Sequence, residues 1–212
     1  MTRATATGPT APLRDLDNPG PVRPALLTEA VRVLAAFAGL GAGILSFGIS
    51  STLLTSTAGP WTITGPVAAT AWGAALMVWS VQSLRRGAPA WPGAVVRVVP
   101  AAVALHLGAV AHGIWWAGES PPSLNGTALT AAALELILLG AVGWLNRRTT
   151  LPAGPAMVRP AAGPLLIVTF AAALLVAAIT TPGLAATAAG EQAVPHGEHG
   201  SPHISPPSGH HH

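Results

Sequence analysis

The sequence predicts an all-α integral membrane protein, a bundle of five transmembrane helices with the N-terminus in the cytoplasm and the C-terminus outside. Half of its 212 residues are apolar and only 8% are charged, whereas a soluble domain carries about 25% charged residues. No Asp, Glu, Lys or Arg occurs between Arg32 and Arg85. That gap is long enough for two membrane spans of about 20 residues each.

Five apolar runs divide the chain into three parts. Residues 1–28 are polar and rich in proline, which predicts a disordered cytoplasmic leader. Residues 29–182 form the predicted transmembrane domain, and residues 183–212 form a disordered, His-rich tail. The spans are predicted at about 30–55, 63–84, 96–117, 126–146 and 161–181. They lack the alternation of polar and apolar residues typical of barrel strands, so helices are the structure that satisfies the backbone in lipid.

The positions of the arginines predict the orientation of the spans. All ten basic residues are Arg, and they precede the first span or lie in the second and fourth connections. The loops 56–62 and 117–125 and the segment after residue 182 contain no basic residue. Basic residues stay on the cytoplasmic side, and the abundance of Ala, Gly, Pro and Arg is typical of a high-GC bacterial genome. We therefore expect a multi-pass protein of the bacterial cytoplasmic (inner) membrane.

Three ionisable side chains lie inside the predicted spans, namely His106, His112 and Glu135. Such groups usually face a bundle interior or water. At the helical rise, His106 and Glu135 both lie about 15 Å below the outer boundary, so neighbouring spans can bring them together. The pair would be a proton relay or an ion-binding point, or else a hydrogen bond that fixes helix register. His112 points about 120° away from His106 around the helix, which indicates a polar side chain near the outer boundary.

The C-terminal tail is the polar segment whose composition most clearly indicates a function. It holds six of the eight histidines, which are His196, His199, His203, His210, His211 and His212. Neutral imidazole is a favoured ligand of Zn, Ni, Co and Cu(II), so the tail predicts capture of a divalent transition metal ion. Alternatives are a solvated tail without a specific ligand, a pH sensor and, for the final three histidines, the remnant of an affinity tag.

Small residues indicate how the spans pack. Gly39 and Gly43 form a G-x-x-x-G pair, which lets two helices approach closely within the chain or across a seam with another protein or a second copy. Trp72 and Trp79 share one face of the second span, which indicates packing or lipid contact, with ligand stacking as the alternative.

Three prolines are interpreted as marks of helix starts. Pro66, Pro100 and Pro164 each lie a few residues into a predicted span. Proline in the first turn of a helix costs little, because the N–H groups there have no partner within the helix.

The sequence contains no cysteine, no P-loop and no hydrolase or zinc-protease motif, so we expect no enzyme. Nucleic-acid binding is not expected either, because the arginines are spread over three segments next to the membrane. The leading hypothesis is handling of a divalent transition metal through uptake, efflux or an accessory role. The alternative is a non-catalytic structural or assembly subunit of a larger membrane complex. The expected partners are the lipid bilayer and another membrane protein or a second copy.

Overall fold

Five long helices make up the part of the chain that the structure describes. The computed structural model describes residues 22–56, 61–115, 122–149, 161–187 and 190, and these contain no strand. The helices are α1 (Val22–Ser56), α2 (Trp61–Arg86), α3 (Pro92–Trp115), α4 (Pro122–Thr149) and α5 (Ala162–Ala185). All five are long and apolar enough to cross a membrane. The predicted helical class with five candidate spans is therefore confirmed, while the first 21 residues and the tail from residue 191 lie outside the described residues.

The start of α1 corrects the predicted leader. The leader was predicted to reach residue 28, but α1 already begins at Val22. Pro24 falls in the first turn, where proline is tolerated. The three residues that follow it are Ala, Leu and Leu, which are strong helix formers, and Ala25 is buried against the bundle. The density of prolines was a poor guide here, because their position relative to the helix start decides whether they break it.

The prediction that prolines mark helix starts is wrong for two of the three. Pro66 and Pro100 lie inside α2 and α3, beyond the first turn, whereas Pro164 lies in the first turn of α5 as predicted. A proline inside a helix removes one backbone hydrogen bond, the one to the carbonyl four residues earlier, and both helices continue past it. The hydroxyl of Ser50 in α1 donates to the carbonyl of Pro66 at 2.9 Å, so α1 is tied to α2 at this proline.

Helix α1 is the centre of the bundle. It packs against α2, α4 and α5, while α3 packs mainly on α4. The most apolar stretch of α1 is 72% buried, against 11% for that of α5. Leu45 of α1 is fully buried, as are Leu134 and Leu138 of α4. The core therefore lies between α1 and α4, and the other helices surround it.

Glycines allow α1 and α2 to approach at backbone distance. A Cβ atom on Gly43 would lie 2.9 Å from the carbonyl oxygen of Gly73, and a Cβ on Gly73 would lie 2.7 Å from the carbonyl oxygen of Gly43. Gly39, one turn earlier in α1, faces Trp79 and Ser80 of α2. Of the two alternatives for the G-x-x-x-G pair, the structure has packing within the chain, because α2 covers this face of α1.

Candidate functional site

Glu135 is an acidic side chain in the core of the bundle. It lies at the middle of α4 and is 0% exposed to solvent. Its helical neighbours Ala131, Ala132, Leu134 and Leu138 are buried as well. Placing a carboxylate in such apolar surroundings is costly unless hydrogen bonds or an opposite charge compensate for the lost water. The partners of Glu135 therefore decide what this site can do.

His106 of α3 is the first of these partners. Val95, Val99 and Val103 form the buried stripe of α3, and His106 follows one turn later on the same face. Its Nδ1 atom lies 3.0 Å from Oε2 of Glu135, and its side chain is 13% exposed. The structure thus brings together the two side chains that helix depth placed at one level.

Trp72 of α2 is the second partner, a role that its place in the sequence did not predict. Its indole Nε1 donates a hydrogen bond to Oε1 of Glu135 at 2.8 Å. The hydrogen bonds of Glu135 therefore join α2, α3 and α4. Trp72, His106 and Glu135 each lie within about three residues of the midpoint of their own helix. A polar partner for Trp72 could have been expected, because a buried indole N–H usually has a hydrogen-bond acceptor. Trp79, on the same face, donates instead to the carbonyl of Ala90 in the α2–α3 connection.

The two oxygens of Glu135 have different roles. An indole nitrogen only donates, so Oε1 accepts from Trp72 and the proton that this network can move lies between Oε2 and Nδ1 of His106. That proton belongs either to the carboxyl group or to the imidazole, and both states keep the hydrogen bond. One proton can therefore be shared between Oε2 of Glu135 and Nδ1 of His106 without a movement of the helices.

The same pair can also be compared with the metal sites of proteins. Among the residues that the structure describes, no group of three or more His, Cys, Asp or Glu side chains is close enough to hold a metal ion. His106 and Glu135 supply two protein ligands, whereas zinc sites in proteins use three or four.

The remaining predicted residues lie elsewhere. His112 is exposed on α3, which agrees with its predicted turn away from His106, and Gly39 and Gly43 lie in the contact between α1 and α2. The tail histidines, which are His196, His199, His203, His210, His211 and His212, lie outside the described residues.

Replacing Trp72 by phenylalanine is expected to lower the free energy of unfolding by about 1–3 kcal/mol, because Oε1 of Glu135 loses its donor while remaining buried. The measurement is reversible unfolding in detergent, followed by circular dichroism. The matched control is Trp115→Phe, since the side chain of Trp115 is 77% exposed. Equal losses in the two variants would show that the indole N–H does not stabilise the buried carboxyl group.

No protein-family model, curated protein or solved structure matches this chain. Function must therefore be inferred from the residues of the chain itself. Among those described, the network of Trp72, His106 and Glu135 carries the most chemical information, because it places an acid, an imidazole and an indole at one point of an apolar bundle.

Proposed function

We propose that this chain is a multi-pass protein of the bacterial cytoplasmic membrane that handles a divalent transition metal, in uptake, efflux or an accessory role. Its tail would capture the ion outside the cell, and the His106–Glu135 pair would carry a proton inside the bundle. The observation that carries the proposal is a carboxyl group that is 0% exposed in the core of an apolar bundle. Ionisable side chains inside membrane spans commonly form proton relays in pumps and transporters.

The charged ends of the helices support the proposed orientation. Arg85 and Arg86 lie in the last turn of α2, and Arg147 and Arg148 in the last turn of α4. The guanidinium of Arg86 lies 5.3 Å from the centre of the Trp91 ring, and that of Arg148 stacks in the same way on Trp144 at 4.2 Å. Arginines with tryptophans beside them are typical of the cytoplasmic boundary of a membrane protein. With this orientation, the tail that we propose to bind metal would lie outside.

A pair of side chains that carries a proton could compensate for the charge of a metal ion that crosses the bundle. A divalent cation that crosses an apolar bundle carries a large desolvation cost. Exchange against protons would reduce the net charge that must move, and in this proposal Glu135 and His106, which are in contact inside the bundle, take up and release the proton. In this proposal the tail selects the ion and the pair responds to its passage.

Glu135→Gln tests the proton role directly. The amide oxygen can still accept from Trp72 and the amide nitrogen can still donate to His106 Nδ1, so the fold is retained while the ionisable group is lost. We expect wild-type abundance in the membrane, together with metal tolerance and accumulation equal to those of cells lacking the protein. The measurements are quantitative immunoblots and growth with added Zn, Ni, Co or Cu. Normal tolerance at normal abundance would leave the pair with a structural role only.

The metal role of the tail has a separate test. The chain is truncated after Gly209, which removes His210, His211 and His212 and with them any tag-derived histidine. It is compared with the same chain carrying alanine at His196, His199 and His203. We expect the first protein to bind Ni²⁺ or Zn²⁺ in calorimetric titration and the second to lose that binding. Equal binding by both proteins would contradict capture by the tail.

The second candidate function is a non-catalytic subunit of a larger membrane complex. The observation that favours it is the exposed side of α5, where Leu166, Ile167, Phe170 and Leu174 are each more than half exposed. Lipid or a partner helix would cover this face. Purification in mild detergent separates the candidates, because a stoichiometric co-eluting protein together with normal metal tolerance in the Glu135→Gln strain would favour the subunit.

A further inference from the structure

A groove on α2 ends at an arginine near the helix C-terminus. The groove has a volume of about 230 Å³ and is lined by Met77, Val78, Val81, Gln82 and Arg85. Positions 78, 81, 82 and 85 share one helix face, because residues three, four and seven apart lie one above the other. The deeper part of the groove is apolar, whereas the part near the helix end offers an amide and a guanidinium.

Arg85 and its neighbour Arg86 differ in what they contact. Arg86 stacks on Trp91, whereas Arg85 reaches the groove and is exposed. Among the described residues the carboxylates are Glu29 and Glu135, which pair with Arg32 and His106. Neither of these two carboxylates is therefore available to neutralise Arg85, and its guanidinium can donate to an anion such as a phosphate.

We propose that this groove binds one anionic phospholipid, with the phosphate at Arg85 and Gln82 and an acyl chain along Met77, Val78 and Val81. A guanidinium donates two parallel hydrogen bonds to phosphate oxygens. Met77 lies eight residues before Arg85, which places it about 12 Å deeper along the helix, at the level of the first part of an acyl chain. Val78 and Val81 are 55% and 47% exposed, so they present an apolar surface that a lipid chain covers.

Charge and depth both favour this occupant. The cytoplasmic leaflet carries the anionic phospholipids, and basic side chains at that boundary attract them. The inference rests on the membrane insertion and orientation proposed above, but not on any metal or proton role. Extraction of membranes with carbonate tests insertion separately, since release of the chain from the membrane would overturn the proposed localisation itself.

The test uses the full chain, purified in detergent and stripped of lipid. Phosphatidylglycerol or phosphatidylcholine with matched acyl chains is added, and bound lipid is counted by native mass spectrometry. Arg85→Gln and Arg86→Gln remove the same charge from adjacent positions. We expect the wild type and Arg86→Gln to bind one phosphatidylglycerol in preference to phosphatidylcholine, and Arg85→Gln to bind phosphatidylglycerol about tenfold more weakly, as expected when charge-assisted hydrogen bonds are lost.

A second variant, Val81→Trp, fills the groove while keeping Arg85, and it is expected to displace the lipid as well. Three results would overturn the proposal. They are equal weakening in the two arginine variants, equal affinity of the wild type for the two lipids, and displacement of phosphatidylglycerol by glycerol 3-phosphate at comparable concentration. The last result would assign the site to a soluble phosphate instead of a lipid.

Discussion

Glu135→Ala is expected to lower the free energy of unfolding by about 3–5 kcal/mol, the range for removing one partner of a buried pair. The change leaves the indole N–H of Trp72 without its acceptor and the Nδ1 atom of His106 without its hydrogen-bond partner. It also leaves a cavity beside Leu134 and Leu138, which are fully buried. The measurement is reversible unfolding of the purified chain in detergent.

Two comparisons make this expectation specific to the network. Glu135→Gln keeps an acceptor for Trp72 and a donor for His106, so most of the stability should remain. In Glu135→Ala, the further change Trp72→Phe should cost less than it does in the wild type, because the hydrogen bond that it removes is already absent. If the two single changes were additive, Trp72 and Glu135 would be energetically independent in spite of the 2.8 Å that separates Nε1 from Oε1.

The sequence predicts those features of the structure that depend on residues close together along the chain. The five spans follow from the lengths of the apolar runs, and α2 and α5 begin within about two residues of the predicted positions. The pairing of His106 with Glu135 followed from the rise per residue and a short connection between consecutive helices. Both arguments need only neighbouring segments of the chain, and the second agrees with the observed distance of 3.0 Å between Nδ1 of His106 and Oε2 of Glu135.

Features that depend on the rotation of non-consecutive helices could not be predicted in this way. Trp72 meets Glu135 only because α2 turns one face toward α4, and nothing in either segment specifies that rotation. The central position of α1 is of the same kind. Helix ends were also imprecise, since α3 begins at Pro92 and α4 at Pro122, each about four residues before the predicted start. The limits of an apolar run do not fix the residue at which a helix begins.

In the contact between Gly43 and Gly73, the sequence predicted only the side that belongs to α1. The G-x-x-x-G pair identified the face of α1, but Gly73 belongs to no such motif in α2. Its role appears only when the two backbones are placed together, with each glycine at the carbonyl oxygen of the other. Small residues at such a point allow dispersion contacts along the whole length of both helices.

Gly73→Val is therefore expected to lower the free energy of unfolding by about 3 kcal/mol, the upper part of the range for overpacking. The new Cβ would lie 2.7 Å from a backbone oxygen of α1, which cannot move aside as a side chain can, so the two helices must separate. Gly140→Val is the matched control, because nothing lies within 4 Å of a Cβ at that position of α4. That control is expected to be neutral or slightly stabilising, since valine forms helix better than glycine. The two variants are compared by unfolding in detergent. If Gly140→Val lost as much stability as Gly73→Val, the backbone contact between α1 and α2 would not be the point where added volume destabilises the bundle.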